Sequence, residues 1–134
     1  MRKIEVLIVD DEIDNSDLLK HFIEQYCPTI SKIEVANDYE TAVEMIQKNN
    51  YDLLFLDIVL DDNTAFDILK KLENQPFIIF VTAYDMYAID SFKYNTIDYI
   101  LKPIQIQSLI KAVERVMDRL ENKEGANYQY SIRA

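Results

Sequence analysis

Three stretches of this chain are almost wholly apolar yet only strand-length: "IEVLIV" (Ile4–Val9), "DLLFL" (Asp52–Leu56) and "FIIFVT" (Phe77–Thr82). An apolar run without alternation implies a strand covered on both faces, because a sheet with one wet face alternates apolar and polar residues. Helices on both sides of a parallel sheet meet that condition. Two further strands are expected at "KIEVA" (Lys32–Ala36) and "DYIL" (Asp98–Leu101), which are rich in β-branched or aromatic residues.

Helical periods lie between these runs. Leu18, Leu19, Phe22, Ile23 and Tyr26 share one helical face, as do Leu109, Val113, Val116, Met117 and Leu120. In "NDYE", Asn37 stands three residues before Glu40, the spacing of a capping box, and opens the second helix. Weaker helical patterns surround Phe66–Leu72 and Tyr87–Tyr94. Strand and helix thus alternate five times, which predicts a doubly wound α/β fold: a five-stranded parallel sheet, flavodoxin-like, with helices on both faces. One domain is expected over residues 1–121. "NKEGANYQYSIRA" (Asn122–Ala134) falls outside the pattern and reads as a linker or tail, or as the cut start of an effector domain.

Composition removes several functions. With 24 acidic and 14 basic residues, the net charge of −10 repels a phosphate backbone, so this domain itself is not expected to bind nucleic acid. The single cysteine, Cys27, excludes an internal disulfide and fits a reducing compartment. No apolar run approaches the roughly 20 residues that span a bilayer. "MRKIEVLIVDD" reaches acids too soon for a secretory leader. A cytoplasmic domain without membrane contact is expected.

In a doubly wound sheet, ligands bind beyond the carboxyl ends of the strands. The residues expected there are Asp10 and Asp11 after the first strand, Asp57 after the third, Thr82 after the fourth, and Lys102–Pro103 after the fifth. Two carboxylates about 4 Å apart repel by roughly 4 kcal/mol at an effective dielectric of 20. Three such acids need a proton, an amine or a metal. Lys102 compensates one charge, and an all-oxygen donor set suits Mg²⁺ for the rest. Asp57, directly after four large apolar residues, then reads as a carboxylate nucleophile for phosphoryl transfer.

Taken together, "LIVDDE", "LLFLDI", "FVTAYD" and "DYILKP" resemble the receiver domain of two-component response regulators, in order and in spacing, over about Lys3 to Leu120. "FVTAYDMYAIDSFKYNTIDYILKPI" is most similar to receivers of the LytTR type, which carry a C-terminal DNA-binding domain. The resemblance implies that Asp57 accepts a phosphoryl group from a sensor histidine kinase. It implies that Asp11, Asp57 and the backbone carbonyl of Val59 hold Mg²⁺, while Asp10 orients a metal-bound water. Lys102 and Thr82 would contact phosphoryl oxygens, and Ala83 would leave them room. Thr82 and Tyr99 would act as the switch, and the bond before Pro103 would be cis. Such a chain catalyses its own phosphorylation and dephosphorylation but is primarily a signalling switch. Its implied outputs are homodimerisation on phosphorylation and transcription regulation through a C-terminal domain missing here.

Two departures stand out. Receivers commonly place a proline four residues after the acceptor and a glycine eight after it; here these are Asp61 and Ala65. If the glycine serves a positive φ, Ala65 would either be strained by roughly 1 kcal/mol or reshape that loop. Plainer roles exist for each residue taken singly. An Asp pair is usually a helix cap, Thr82 a strand-end hydroxyl, Lys102–Pro103 a turn, and Tyr99 core packing. Asp61, Asp62 and Asp67 read as a solvated loop and helix start, of which Asp61 should matter little to a metal. His21 reads as surface, and Cys27 as inert. A haloacid-dehalogenase-like phosphatase would need an acid at Val59, and a flavodoxin-like carrier a Ser/Thr-rich loop in place of "DDEIDN". A non-phosphorylated receiver-like adaptor is the strongest rival, but it would be expected to lack Asp57, Lys102 or a metal acid.

Overall fold

The computed structural model describes residues 3–124. The chain runs through β1 (Ile4–Val9), α1 (Ile13–Tyr26), β2 (Ile30–Ala36), α2 (Tyr39–Lys48) and β3 (Leu53–Leu56). A hairpin of β4 (Val59–Leu60) and β5 (Asn63–Thr64) follows, then α3 (Ala65–Leu69) and β6 (Phe77–Thr82). The last elements are α4 (Ala88–Ser91), β7 (Thr96–Leu101) and α5 (Ile106–Glu124). The main sheet has five strands in the order β2-β1-β3-β6-β7, and all its pairings are parallel. The reversal of strand order lies between β1 and β3, whose register sets Val9 beside Leu56. The residues just after them, Asp10 and Asp57, therefore emerge side by side at the switch point where such sheets bind ligands.

The unbroken apolar runs are explained by two core layers. Along β3, Leu53 and Phe55 pack on one side with Ile23 of α1 and Leu109 and Val116 of α5. Leu54 and Leu56 pack on the other with Ala42 of α2 and Ile68 of α3. Each fully buried aliphatic or aromatic side chain contributes roughly 1.5–3 kcal/mol of transfer free energy. That anchoring fixes the strand ends from which the polar residues project.

Details differ from the sequence expectation, each for a local reason. β2 begins at Ile30 rather than Lys32, and β7 at Thr96 rather than Asp98. In α1, Leu18 and Tyr26 are exposed, and the inward positions include the buried Ser16. The first two helices after the hairpin, α3 and α4, are short. Thr96 Oγ1 donates to the Ser91 carbonyl at 2.6 Å, a side-chain bond that competes with continuing α4. After α3 the chain tightens into a turn, with Gln75 Nε2 donating to the Leu69 and Leu72 carbonyls at 3.3 Å each. α5 extends to Glu124, past the expected boundary at residue 121. The remainder of the expected tail, residues 125–134, lies outside the described residues. Among the described residues, no helix is long and apolar enough to cross a membrane.

The cap of α2 is Asp38 rather than Asn37: its Oδ1 accepts from Thr41 N at 2.7 Å. That backbone hydrogen bond is the main cause holding the Asp38 carboxyl below its ordinary 3.8. An acid with a lowered folded pKa stabilises above its unfolded value and loses that contribution as pH falls through the folded one. Asp38→Ala is expected to cost about 1 kcal/mol at neutral pH. In urea denaturation the gap from wild type should narrow once pH is well below 3.8.

Candidate functional site

The site is built from the carboxyl ends of four neighbouring strands, β1, β3, β6 and β7. Past β1, Asp10 N continues the ladder by donating to the Ala36 carbonyl at 3.2 Å. Past β3, Asp57 N does the same to the Val9 carbonyl at 2.9 Å. These bonds carry two carboxylates into poorly solvated positions, Asp10 at 5% exposure and Asp57 at 8%. Asp11 is half-buried beside them. One carboxylate oxygen from each of Asp10, Asp11 and Asp57 lies within 4.8 Å of the others.

One amine answers this charge. Lys102 leaves the end of β7 with its backbone N donating to the Thr82 carbonyl at 2.8 Å, and the Lys102–Pro103 peptide is cis. Its Nζ lies 2.8 Å from Asp10 Oδ2 and 2.8 Å from Asp57 Oδ2. Burial pulls the Lys102 pKa down, but the two hydrogen bonds to Asp10 and Asp57 outweigh it and the net direction is up. For Asp10, burial wins. Its carboxyl is raised above 3.8 although Lys102 and the Glu12 N–H, 2.9 Å from Oδ1, both favour its ionised form.

Two buried oxygens at these strand ends have no hydrogen-bond partner among the described residues: Asp57 Oδ1 and Thr82 Oγ1, the latter in a residue with 0% exposure. An unsatisfied buried polar atom costs about 1–3 kcal/mol, so two in one site call for a polar group that the chain does not supply. Three acids against one amine leave excess negative charge, and all the donors are hard oxygens. This combination fits a hard divalent cation together with an anionic oxygen group.

The surrounding residues fall into groups. Val59, two residues after Asp57, opens the small hairpin, and the exposed Ala83 follows Thr82. Tyr99 is half-buried, its ring 5.8 Å from that of Phe80, and its hydroxyl donates to the Tyr84 carbonyl. Burial raises its pKa. Positive φ falls not on Ala65, which is buried at the start of α3, but on Asp61 at 54°. Asp61 N also donates to Asp11 Oδ2 at 3.2 Å, and repulsion from Asp11 is the main cause raising the Asp61 carboxyl. Asp61 is thus coupled to the acids rather than separate from them. Asp67 accepts from Thr64 N at 3.1 Å and caps α3. His21 is exposed, while Cys27 is buried and its thiol is pushed up to about 11 by burial, which leaves it unreactive.

Asn37 is a site residue that pattern alone did not reveal. Its Nδ2 donates to the Asp10 carbonyl at 2.8 Å and to Ser16 Oγ at 2.9 Å, tying the end of β2 to the acid loop. Its sequence signal is only a carboxamide directly after a strand, which equally marks a cap.

The sequence matches the response regulator receiver domain family over residues 6–114. The chain belongs to that family. The sensory transduction protein LytT of Bacillus anthracis is 40% identical over 128 residues, covering 90% of this chain and 52% of that protein. LytR of Staphylococcus saprophyticus is 37% identical, covering 85% and 46%. The receiver therefore spans about half the length of the curated relatives it matches. Among solved structures, a two-component response regulator from Clostridium difficile has a TM-score of 0.76 at 30% identity, covering 88% of this chain and 98% of that one. The response regulator TrrA of Thermotoga maritima, solved in complex with Mg(2+)-BeF, has a TM-score of 0.72 at 27% identity, covering 87% and 99%.

The charge balance of this receiver is open to measurement. An acid with a raised folded pKa loses stability as pH rises through it, so ionised Asp10 costs stability at neutral pH. Metal-free Asp10→Asn is expected to melt higher than wild type at neutral pH, with the advantage fading as pH falls toward 3.8. The Lys102 contribution, by contrast, is present throughout that range and is lost only as pH rises past 10.5. Lys102→Ala, which leaves two buried carboxylates without their cation, should be less stable by about 3 kcal/mol. Thermal melts in a chelating buffer across pH check both.

Proposed function

We propose that Asp57 of this receiver accepts a phosphoryl group from the phosphohistidine of a sensor histidine kinase, with Mg²⁺ bound by the neighbouring acids. The observation that carries the proposal is the pair of buried, unpartnered oxygens, Asp57 Oδ1 and Thr82 Oγ1, beside a lysine that already holds Asp57 Oδ2. An Asp57 oxygen attacks phosphorus as the phosphorus–nitrogen bond breaks; the electron pair goes to the ring nitrogen, and because the phosphohistidine is protonated on its other ring nitrogen, a neutral imidazole leaves. Lys102 moves its hydrogen bonding from the carboxylate to the phosphoryl oxygens, where charge develops. Thr82 donates its free hydroxyl to one of them, and the small Ala83 leaves the approach open. When bound, Mg²⁺ offsets the acids and the phosphoryl charge; Asp11, Asp57 and the Val59 carbonyl would hold it, and Asp10 would orient one of its waters. The Mg(2+)-BeF complex of the Thermotoga relative supports this assignment.

The output follows from Thr82. Drawing its hydroxyl toward the phosphoryl group opens space for the Tyr99 ring, which would leave the Tyr84 carbonyl. Nearby, Met86, Ile89 and Phe92 form an exposed apolar face, with Ile89 at 83% and Phe92 at 76% exposure. Self-association through this face, and transcription control through a C-terminal LytTR-type domain, are the proposed readouts.

With a small acylphosphate donor and Mg²⁺, mass spectrometry should find one phosphoryl adduct on wild type and none on Asp57→Asn. A stable adduct on the variant would overturn the assignment. The phosphorylated state should also be long-lived, because neither Val59 nor Tyr84 supplies the carboxamide or carboxylate that orients an attacking water. Val59→Asn and Tyr84→Glu are each expected to lose phosphate faster than wild type, and an unchanged or slower rate in the double variant would defeat this.

A further inference from the structure

Asp61 combines features that no other described residue of the site shares. It is the one non-glycine residue with positive φ among the described residues, at 54°. That left-handed turn between β4 and β5 brings its backbone N–H to 3.2 Å from Asp11 Oδ2. Proline, common in receivers at this place, could supply neither the φ nor the N–H. Asp tolerates the left-handed region better than most residues, so turn geometry alone would accept Asp, Asn or Gly here. Geometry does not call for a charge. Yet the turn sets a carboxylate beside Asp11, and the negative charges of Asp62 and Asp38 also act on it. An exposed acid surrounded by acids gains nothing locally from its charge. In the same cluster, the buried Asp57 Oδ1 lacks a partner.

We propose that Asp61 is a positioning residue for the divalent cation: its N–H fixes the Asp11 carboxylate, and its own carboxylate adds a fourth negative charge at the site. The inference rests on the Mg²⁺ reading of the acid cluster. The cost of the added repulsion falls on the metal-free protein, and the benefit appears when a divalent ion arrives. A hydrogen-bonded Asp11 also loses less freedom on binding, which favours affinity through preorganisation. Because Asp61 is exposed, its charge acts through solvent and is screened by salt.

The test uses the 134-residue chain, Mg²⁺ alone as the probe, and calorimetric titration at low and high salt. Asp61→Asn keeps the turn and the N–H but removes the charge. Its Mg²⁺ affinity should fall about three- to tenfold at low salt, with the difference shrinking at high salt. In chelator, the same variant should melt at or above the wild-type temperature. A merely structural role would not move affinity and stability in opposite directions. Asp61→Pro removes the N–H as well and should bind more weakly than Asp61→Asn. Unchanged affinity in Asp61→Asn would overturn the charge role and leave the Mg²⁺ site standing. Equal affinities in Asp61→Asn and Asp61→Pro would overturn the N–H role. Absence of Mg²⁺ binding by wild type would overturn both the inference and the Mg²⁺ reading.

Discussion

Everything distinctive in this molecule depends on one confined repulsion. Three carboxylates are brought within 4.8 Å of one another at a sheet edge, and a single ammonium spans two of them. The strands supply the force that keeps them there. Val9 and Leu56 are packed in the core, and the backbone bonds of Asp10 and Asp57 extend the ladder one residue beyond it. The acids cannot relax apart without lifting apolar strand ends out of their layers. Hydrophobic burial is thereby converted into an electrostatic imbalance at a defined place, which a cation and an anionic oxygen group can resolve.

This explains how much of the fold and the site could be read from sequence. The buried strands were legible because covering on both faces leaves a one-dimensional trace, an apolar run without alternation. The strand-end positions of Asp10, Asp57, Thr82 and Lys102 followed, since each stands directly after such a run. Helix limits were not legible. The end of α4 depends on the Thr96 hydroxyl reaching Ser91, and hydroxyls leave no periodic signal. α1 was read as presenting Leu18 and Tyr26 inward, whereas the core takes Ser16 because Asn37 satisfies its hydroxyl.

The loop after Asp57 marks where pattern ends and three-dimensional contact begins. Loss of a glycine at Ala65 pointed to strain or to a reshaped loop; the left-handed residue is Asp61, and Ala65 opens a helix. The turn at Asp61 couples the hairpin to Asp11, a contact between residues distant in sequence that composition cannot foreshadow. Asn37 is a similar case: its use is defined by partners on β1 and α1 that become neighbours only in the folded sheet.

The brevity of α4 has a consequence for dynamics. A helix of four residues has scarcely a turn of internal hydrogen bonds, and its largest side chains, Ile89 and the following Phe92, face water instead of anchoring it. Segments with few buried apolar contacts open at a small fraction of the global unfolding free energy. The stretch around α4 is therefore less firmly held than the central strands, and it adjoins the sheet strand that carries Thr82. Amide hydrogens there should exchange long before those of the central strands. A perturbation of a few kcal/mol, small against the stability of a domain, is large against the stability of this segment. The molecule thus joins a rigid chemical end to a compliant surface, and energy too slight to unfold the one is enough to redistribute the other.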